Sequence, residues 1–436
     1  MPDKCLLILL DGLGDRSYAS YDHQTPLQAA ETPCLDSLAA RAGTGLFHAS
    51  RYGEALPSEN AHFALFGYEM TDFPGRGPLE ALGSDIDLAP NDVAILAHFT
   101  HLLKDLDGRL ILKYDRSCAT IEEANELYEA VGEYETQGVK IRFQKSNRLF
   151  GVLTLQGDVS PYVTDSNPMI DGRFISEIVP LEGHENDPAT IRTAAALTEY
   201  LTWAHKELEK HPQAALRKRQ KLPPFNGIVT QRAGRLKTPR QFTDRFGLHG
   251  ASISNGVVYK GIAKYLGLDA IHAVNTGDHA RDIKKRMLLA EEALQTHDFV
   301  HLHMDAPDKA AHTKNPDSKR KAIAAIDKGL AETIENFLTD DMLVVVTADH
   351  STPSQGYMVH SGEPVPCMFI GDGVRRDNVT EFNEVSVCSG SLGGLRGTEI
   401  MGMMLNGLDR ARLQGIRDCP QNQDSWPGDY QPFVIK

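Results

Sequence analysis

The sequence predicts an α/β fold: a mostly parallel sheet flanked by helices, with a smaller α+β domain inserted into it. Three observations predict this. Continuous apolar runs at residues 5–10, 299–304 and 342–347 read as strands buried on both faces. Amphipathic helical patterns lie between such runs, at 282–297 and 319–337, and strands alternating with helices build parallel sheets. Residues 91–158 have a different texture, with shorter, half-polar strand segments.

Taken in order, the first strand (5–10) ends at Asp11-Gly-Leu-Gly14. A helix follows at 32–41, with Thr32 as N-cap and Pro33 in the first helical position. The middle segment holds strands at 93–99, 109–114, 139–144 and 149–155, with a helix at 120–131 and a longer one at 189–211. The basic run Arg217-Lys-Arg-Gln-Lys221 that follows reads as a solvated linker rather than a binding patch. The expected domains are 1–87 and 239–436 for the core and 88–238 for the insertion.

Composition limits the function. The chain has 436 residues, 45 Lys+Arg against 59 Asp+Glu, and a net charge of −14. That balance argues against a nucleic-acid backbone or an anionic membrane as partner. No apolar run approaches the roughly 20 residues of a membrane helix, and no secretory leader is legible. Six cysteines without a CxxC pair fit a reduced, cytoplasmic setting. The sequence carries no signal for oligomeric state.

The chemistry lies at strand ends. In open parallel sheets the ligand crevice lies beyond the carboxyl ends of the strands. Asp11 ends the first strand, Asp349-His350 follow the strand at 342–347, and Asp308 and His312 follow the strand at 299–304. Each has a plainer reading: an N-cap for Asp11, a surface i,i+4 pair for Asp308 and His312, a turn for Asp349-His350. His360 alone is a loop histidine. Jointly, three Asp and three His make a mixed oxygen–nitrogen set that suits two divalent borderline metals such as manganese or zinc. Two such ions about 3.5–4 Å apart clamp an in-line phosphoryl displacement. Ser58, in Pro57-Ser-Glu-Asn-Ala-His62, starts a short helix and is either a nucleophile near backbone N–H groups or simply an N-cap.

These segments resemble the cofactor-independent phosphoglycerate mutases of archaeal type, within the alkaline phosphatase superfamily. The resemblance rests on Asp11-Gly-Leu-Gly-Asp15, Thr25–Pro33, Ser58-Glu-Asn-Ala-His62 with Leu65-Phe-Gly-Tyr68, Gly75–Ala81, Ala306-Pro-Asp308 with His312, Thr347–Pro353, His360–Pro366 and Leu395-Arg-Gly397. It implies an alkaline-phosphatase-like core. It implies that Asp11, Ser58, Asp349 and His350 hold one metal, with Ser58 also the phosphorylated nucleophile, and that Asp308, His312 and His360 hold the second. Manganese or zinc is implied, with cobalt as a further candidate, and no 2,3-bisphosphoglycerate. Lys260 resembles the family's active-site lysine. Arg116, Arg148 and Arg232 resemble its substrate-gripping arginines. The chain departs from the family pattern at Asn147 (where His is usual), at Asn167 and Met169 (in place of Asp-Pro-His), and after Arg116, where Ala-Gly-Arg is missing. Asp171-Gly-Arg173 nearby offers a candidate compensating guanidinium.

The implied activity is metal-dependent phosphoryl transfer through phosphoserine, interconverting 2- and 3-phosphoglycerate, a small phosphorylated metabolite. A phosphatase or mutase for another phosphoester or phosphonate is one alternative. A non-catalytic, metal-binding metabolite sensor is a second.

Overall fold

The computed structural model describes residues 1–115, 118–421 and 423–435. The chain forms two compact units, one of Met1–Phe73 with Pro239–Lys436, the other of Pro74–Thr238. The first unit begins with β1 (Lys4–Leu10) and β2 (Gly43–His48). The second holds β3 (Val93–Lys104), β4 (Leu110–Tyr114), β5 (Glu133–Thr136), β6 (Val139–Asn147), β7 (Phe150–Gln156) and β8 (Gly227–Arg235). The chain then returns to the first unit for β9 (Gly250–Ser254), β10 (Asp269–His272), β11 (Phe299–Met304), β12 (Met342–Thr347), β13 (Val365–Ile370) and β14 (Gly393–Arg396).

The first unit is an eight-stranded sheet in the order β10-β9-β11-β1-β12-β13-β2-β14. Its first five strands are parallel. β13 runs antiparallel to both β12 and β2, so the sheet is mixed at one side. β1 lies between β11 and β12, and Cys5 to Leu10 are fully buried. Each large apolar side chain so buried contributes roughly 1.5–3 kcal/mol. The register sets Leu10 beside Met304 and Leu9 beside Thr347. Asp11, Asp305 and Ala348-Asp349 therefore leave the sheet at one edge.

Two expected helices begin earlier than read. Asp278 and Asn315 act as caps, their side chains accepting from Arg281 N and Asp317 N. The helices accordingly span His279–Ala293 and Pro316–Leu330. A separate 3₁₀ turn, Ile334–Phe337, closes the latter segment.

The second unit is an antiparallel sheet, β4-β3-β7-β6-β5, with β8 also on β3. β6 alternates buried and exposed residues over Val139–Phe143, as a one-faced strand should. Helix Pro188–Lys210 and the capping-box helix Ile121–Val131 bury their apolar faces with the sheet, through Ala124, Leu127, Leu197 and Tyr200. This unit starts at Pro74, before the edge expected near residue 88. The reason is the helix Arg76–Gly83, whose Gly77 lies so close to β3 that a Cβ would sit 2.1 Å from Ala94 O. The basic run is solvated at Lys218 to Lys221 but is not a linker, since it ends a helix. Arg217 lies on helix Pro212–Arg219, is buried, pairs with Glu123 at 2.8 Å and stacks 4.2 Å over Phe225. Among the described residues no helix is long and apolar enough to cross a membrane.

Candidate metal centre

The strand ends deliver their side chains to one place in the first unit. Asp11 follows β1, and Gly12 turns the chain back with φ +64°; a Cβ there would lie 2.8 Å from Asp308 Cβ. That turn lets Gly12 N donate to Asp349 Oδ1 at 3.0 Å and lets Asp308 N reach Asp11 O at 3.0 Å. Asp308 and His312 lie one turn apart on helix Ala306–His312, directly after β11. Ser58 is the first residue of helix Ser58–Leu65. It does not cap that helix, because its Oγ lies 2.9 Å from His350 Nε2.

Hydrogen bonds define the protons on His350. Thr352 Oγ1 donates to Asp308 Oδ1 at 2.8 Å, so it accepts from His350 Nδ1 at 3.1 Å. His350 therefore presents a bare Nε2 lone pair. Around that lone pair lie Ser58 Oγ at 2.9 Å, Asp349 Oδ2 at 3.1 Å and Asp11 Oδ1 at 3.6 Å. Both carboxylate oxygens are buried without a hydrogen-bond partner among the described residues. Buried polar atoms without partners are costly, and a cation among these four electron-rich atoms would satisfy them. This donor set fits a divalent metal ion.

A second cluster adjoins the first. His360 Nδ1 donates to Leu56 O at 2.7 Å, which leaves Nε2 bare and 3.7 Å from Asp308 Oδ1. His312 Nε2 lies 3.2 Å from Asp308 Oδ2, and its side chain is 38% exposed. The rings of His350 and His360 stack at 3.8 Å. Asp308, His350 and His360 thus form one metal-compatible triad and Asp11, Asp349 and His350 another, with His350 shared. The Asp11 triad is buried throughout, and the Asp308 triad opens outward through His312.

The charges follow this crowding. Burial, then the charges of Asp349 and Asp308, push the Asp11 carboxyl well above the usual carboxylate range. Burial also works against ionised Asp349, but His350 and His62 outweigh it and hold that carboxyl below its usual value. The same contest at Asp308 is won by its hydrogen bond to His312 and the charges of His312, His350 and His360, which hold it at about 2. Burial pulls His350 down to about 4.

Several residues at this centre escaped the sequence reading. Tyr259 OH donates to Asp11 Oδ2 at 3.0 Å, and His303 Nε2 meets the same oxygen at 2.9 Å. The two bonds orient Asp11 so that Oδ1 faces His350. His62 Nδ1 donates to Ser58 O at 2.8 Å and lies 3.4 Å from Asp349 Oδ2. His301 and His303 face the same side of β11, with their rings 5.5 and 5.0 Å from that of His62. The available signal was His-Leu-His at i and i+2 inside an otherwise apolar strand.

The remaining candidates are Lys260 and the four arginines. Lys260 follows Tyr259 on helix Val257–Leu266. Arg148, Arg173 and Arg232 belong to the second unit: Arg148 turns β6 into β7 with φ 48°, Arg173 O accepts from Leu112 N at 2.8 Å, and Arg232 N donates to Asp165 Oδ1 at 2.6 Å. Arg116 lies outside the described residues. Asn167, one of the departures from the family pattern, is buried; its Oδ1 accepts from Met169 N at 2.8 Å and its Nδ2 donates to Asp115 at 3.3 Å.

Comparison with known proteins shows the family to which the chain belongs. The profile of the metalloenzyme superfamily matches residues 3–407. A 2,3-bisphosphoglycerate-independent phosphoglycerate mutase of Methanocaldococcus jannaschii is 36% identical over 421 residues, covering 95% of each chain. Among solved structures, a Pyrococcus horikoshii protein superimposes with a TM-score of 0.77 at 27% identity, over 95% of this chain and all of that one. The cofactor-independent phosphoglycerate mutase of Thermoplasma acidophilum does so with a TM-score of 0.63 at 28% identity, over 93% of this chain and 99% of its own. From its first strand to its last helix, the chain is a member of the metalloenzyme superfamily and belongs, within it, to the 2,3-bisphosphoglycerate-independent phosphoglycerate mutases.

Proposed function

We propose that this enzyme interconverts 2-phosphoglycerate and 3-phosphoglycerate by passing the phosphoryl group through Ser58, with two divalent metal ions and without 2,3-bisphosphoglycerate. The observation that carries this reading is the convergence of Ser58 Oγ, the bare His350 Nε2, Asp349 Oδ2 and Asp11 Oδ1. Asp11, Ser58, Asp349 and His350 would hold one ion; Asp308, His312 and His360 would hold the other. Nitrogen and oxygen donors in this ratio suit manganese or zinc, and cobalt. Bound there, such ions supply Lewis acidity that depresses the serine hydroxyl pKa and offsets charge on phosphoryl oxygens.

Ser58 Oγ bonds to phosphorus in line as the ester oxygen leaves, and the proton lost by Ser58 balances the one gained by the released hydroxyl. The glycerate then reorients, and its other hydroxyl takes the phosphoryl group back from Ser58. Backbone N–H groups at the start of helix Ser58–Leu65 face the transferring group, and Lys260 balances its charge. The second unit serves substrate binding: Arg148, Arg173, Arg232 and Arg116 supply guanidinium groups for the glycerate carboxylate. Water exclusion decides between isomer and free phosphate. Six unpaired thiols support a cytoplasmic setting.

The test is to load stripped protein with Mn²⁺ and supply 3-phosphoglycerate, following 2-phosphoglycerate and phosphate together. Isomer in excess of phosphate is expected. Phosphate alone would establish a phosphatase instead.

A further inference from the structure

A second group of metal-ligating side chains lies at the opposite edge of the same sheet. His249 immediately precedes β9, Asp269 is the first residue of β10, and His297 stands two residues before β11. These strands are neighbours in the order β10-β9-β11, so the three residues meet at their amino ends. Asp11 and its partners occupy the carboxyl ends.

Both imidazoles are held through Nδ1, that of His297 also by Thr296 Oγ1 at 3.0 Å. His249 Nδ1 lies 3.0 Å from Thr296 O, and His297 Nδ1 lies 2.9 Å from Ala293 O. A carbonyl oxygen only accepts, so both Nδ1 atoms carry protons and both Nε2 atoms face Asp269. A backbone carbonyl on Nδ1 is the usual outer support of a metal-bound histidine. His297 Nε2 lies 3.0 Å from Asp269 Oδ2 and His249 Nε2 lies 3.8 Å from it. The three donor atoms lie within 4.8 Å of one another. A tetrahedral zinc ion with ligands at about 2.1 Å needs donors about 3.4 Å apart, and the observed separations bracket that spacing. The two rings stack at 4.3 Å, so protons on both Nε2 atoms would set two cations face to face. A single divalent ion satisfies both lone pairs and the carboxylate without that repulsion. His249, with its side chain 53% exposed, has room to tilt toward the common point, while His297 is anchored by burial.

We propose that His249, Asp269 and His297 form a third divalent-metal site, selective for zinc or a similar borderline ion, that clips the edge strand β10 to β9 and β11. Its fourth position is left to water. The site rests on no part of the function proposed above.

The test is equilibrium dialysis of the full-length protein at micromolar free zinc, with bound metal counted by elemental analysis. Wild type is expected to hold one equivalent more than either His249→Ala or Asp269→Asn. Both variants should lose the part of the zinc-dependent rise in melting temperature that this site supplies. Equal zinc counts in wild type and both variants would overturn the proposal. The difference between proteins cancels zinc taken up by the six free thiols and by the Ser58 centre, and His249 is exposed enough for its alanine variant to fold.

Discussion

The ammonium of Lys319 lies 3.1 Å from Asp15 Oδ2, with neither side chain exposed to solvent. The same nitrogen donates to Gly14 O at 2.7 Å and Thr352 O at 2.9 Å. Asp15 also accepts from Ser354 Oγ at 2.7 Å and Tyr18 OH at 2.6 Å. One lysine on helix Pro316–Leu330 thus ties the loop carrying Asp11 to the loop carrying Asp349 and His350.

Removing that lysine leaves a buried carboxylate without its counter-charge. Lys319→Ala is expected to cost about 3–5 kcal/mol of stability, read by denaturant unfolding. Adding Asp15→Asn should restore part of the loss, because the orphaned charge is removed with its partner. A single-variant loss below about 1 kcal/mol, the level of an exposed pair, would contradict this role.

Tyr259 acts through Asp11. Its hydroxyl and His303 together hold Asp11 Oδ2, which aims Oδ1 at the metal centre. Tyr259→Phe removes one of those bonds and little volume. Outer-shell changes of this kind cost roughly 10–100-fold in metal affinity or activity. The expected loss is at the lower end, because His303 remains, and excess metal should restore much of the activity. Unchanged metal affinity would show that Tyr259 does not orient the ligand.

Metal removal should make stability pH-dependent in a defined direction. In the stripped protein the Asp11 carboxyl is raised above its unfolded value, chiefly by burial and then by Asp349 and Asp308. A raised group favours folding while protonated and loses that contribution as pH climbs through its folded pKa. His350, pulled down to about 4, is already neutral in mildly acidic buffer and does not reverse the trend. The melting-temperature gain on adding metal should therefore grow between about pH 5 and pH 8. A gain that shrinks over that range would contradict the ligand role of Asp11.

The candidate metal centre was legible because the residues that meet there follow the ends of continuous apolar runs, at Asp11, Asp308 and Asp349-His350. Strand burial and strand end are both local signals. β13 was not legible as antiparallel: Val365-Pro-Cys-Met-Phe-Ile370 has the same unbroken apolar texture as the parallel strands β1, β11 and β12, and direction is set by connection. Tyr259 and the histidines of β11 were hidden for a related reason. A tyrosine on a helix, or an imidazole within a buried strand, has no spacing that tells a core side chain from one reaching a carboxylate 248 or 292 residues away. Arg217 misled because charge runs are usually solvated, whereas this one turns a single guanidinium inward to Glu123 and Phe225. The tautomer of His350 depends on Thr352 and Asp308 together, so only the folded chain reveals it.

The central claim is that the phosphoryl group passes through Ser58. The most direct measurement is acid-quenched mass spectrometry of the metal-loaded enzyme during turnover of 3-phosphoglycerate, with peptide mapping. The account predicts one added phosphoryl group on the peptide containing Ser58, absent from Ser58→Ala, which keeps bound metal but loses turnover. Isomerase activity retained by Ser58→Ala, or a phosphoryl group mapped to another residue, would contradict it.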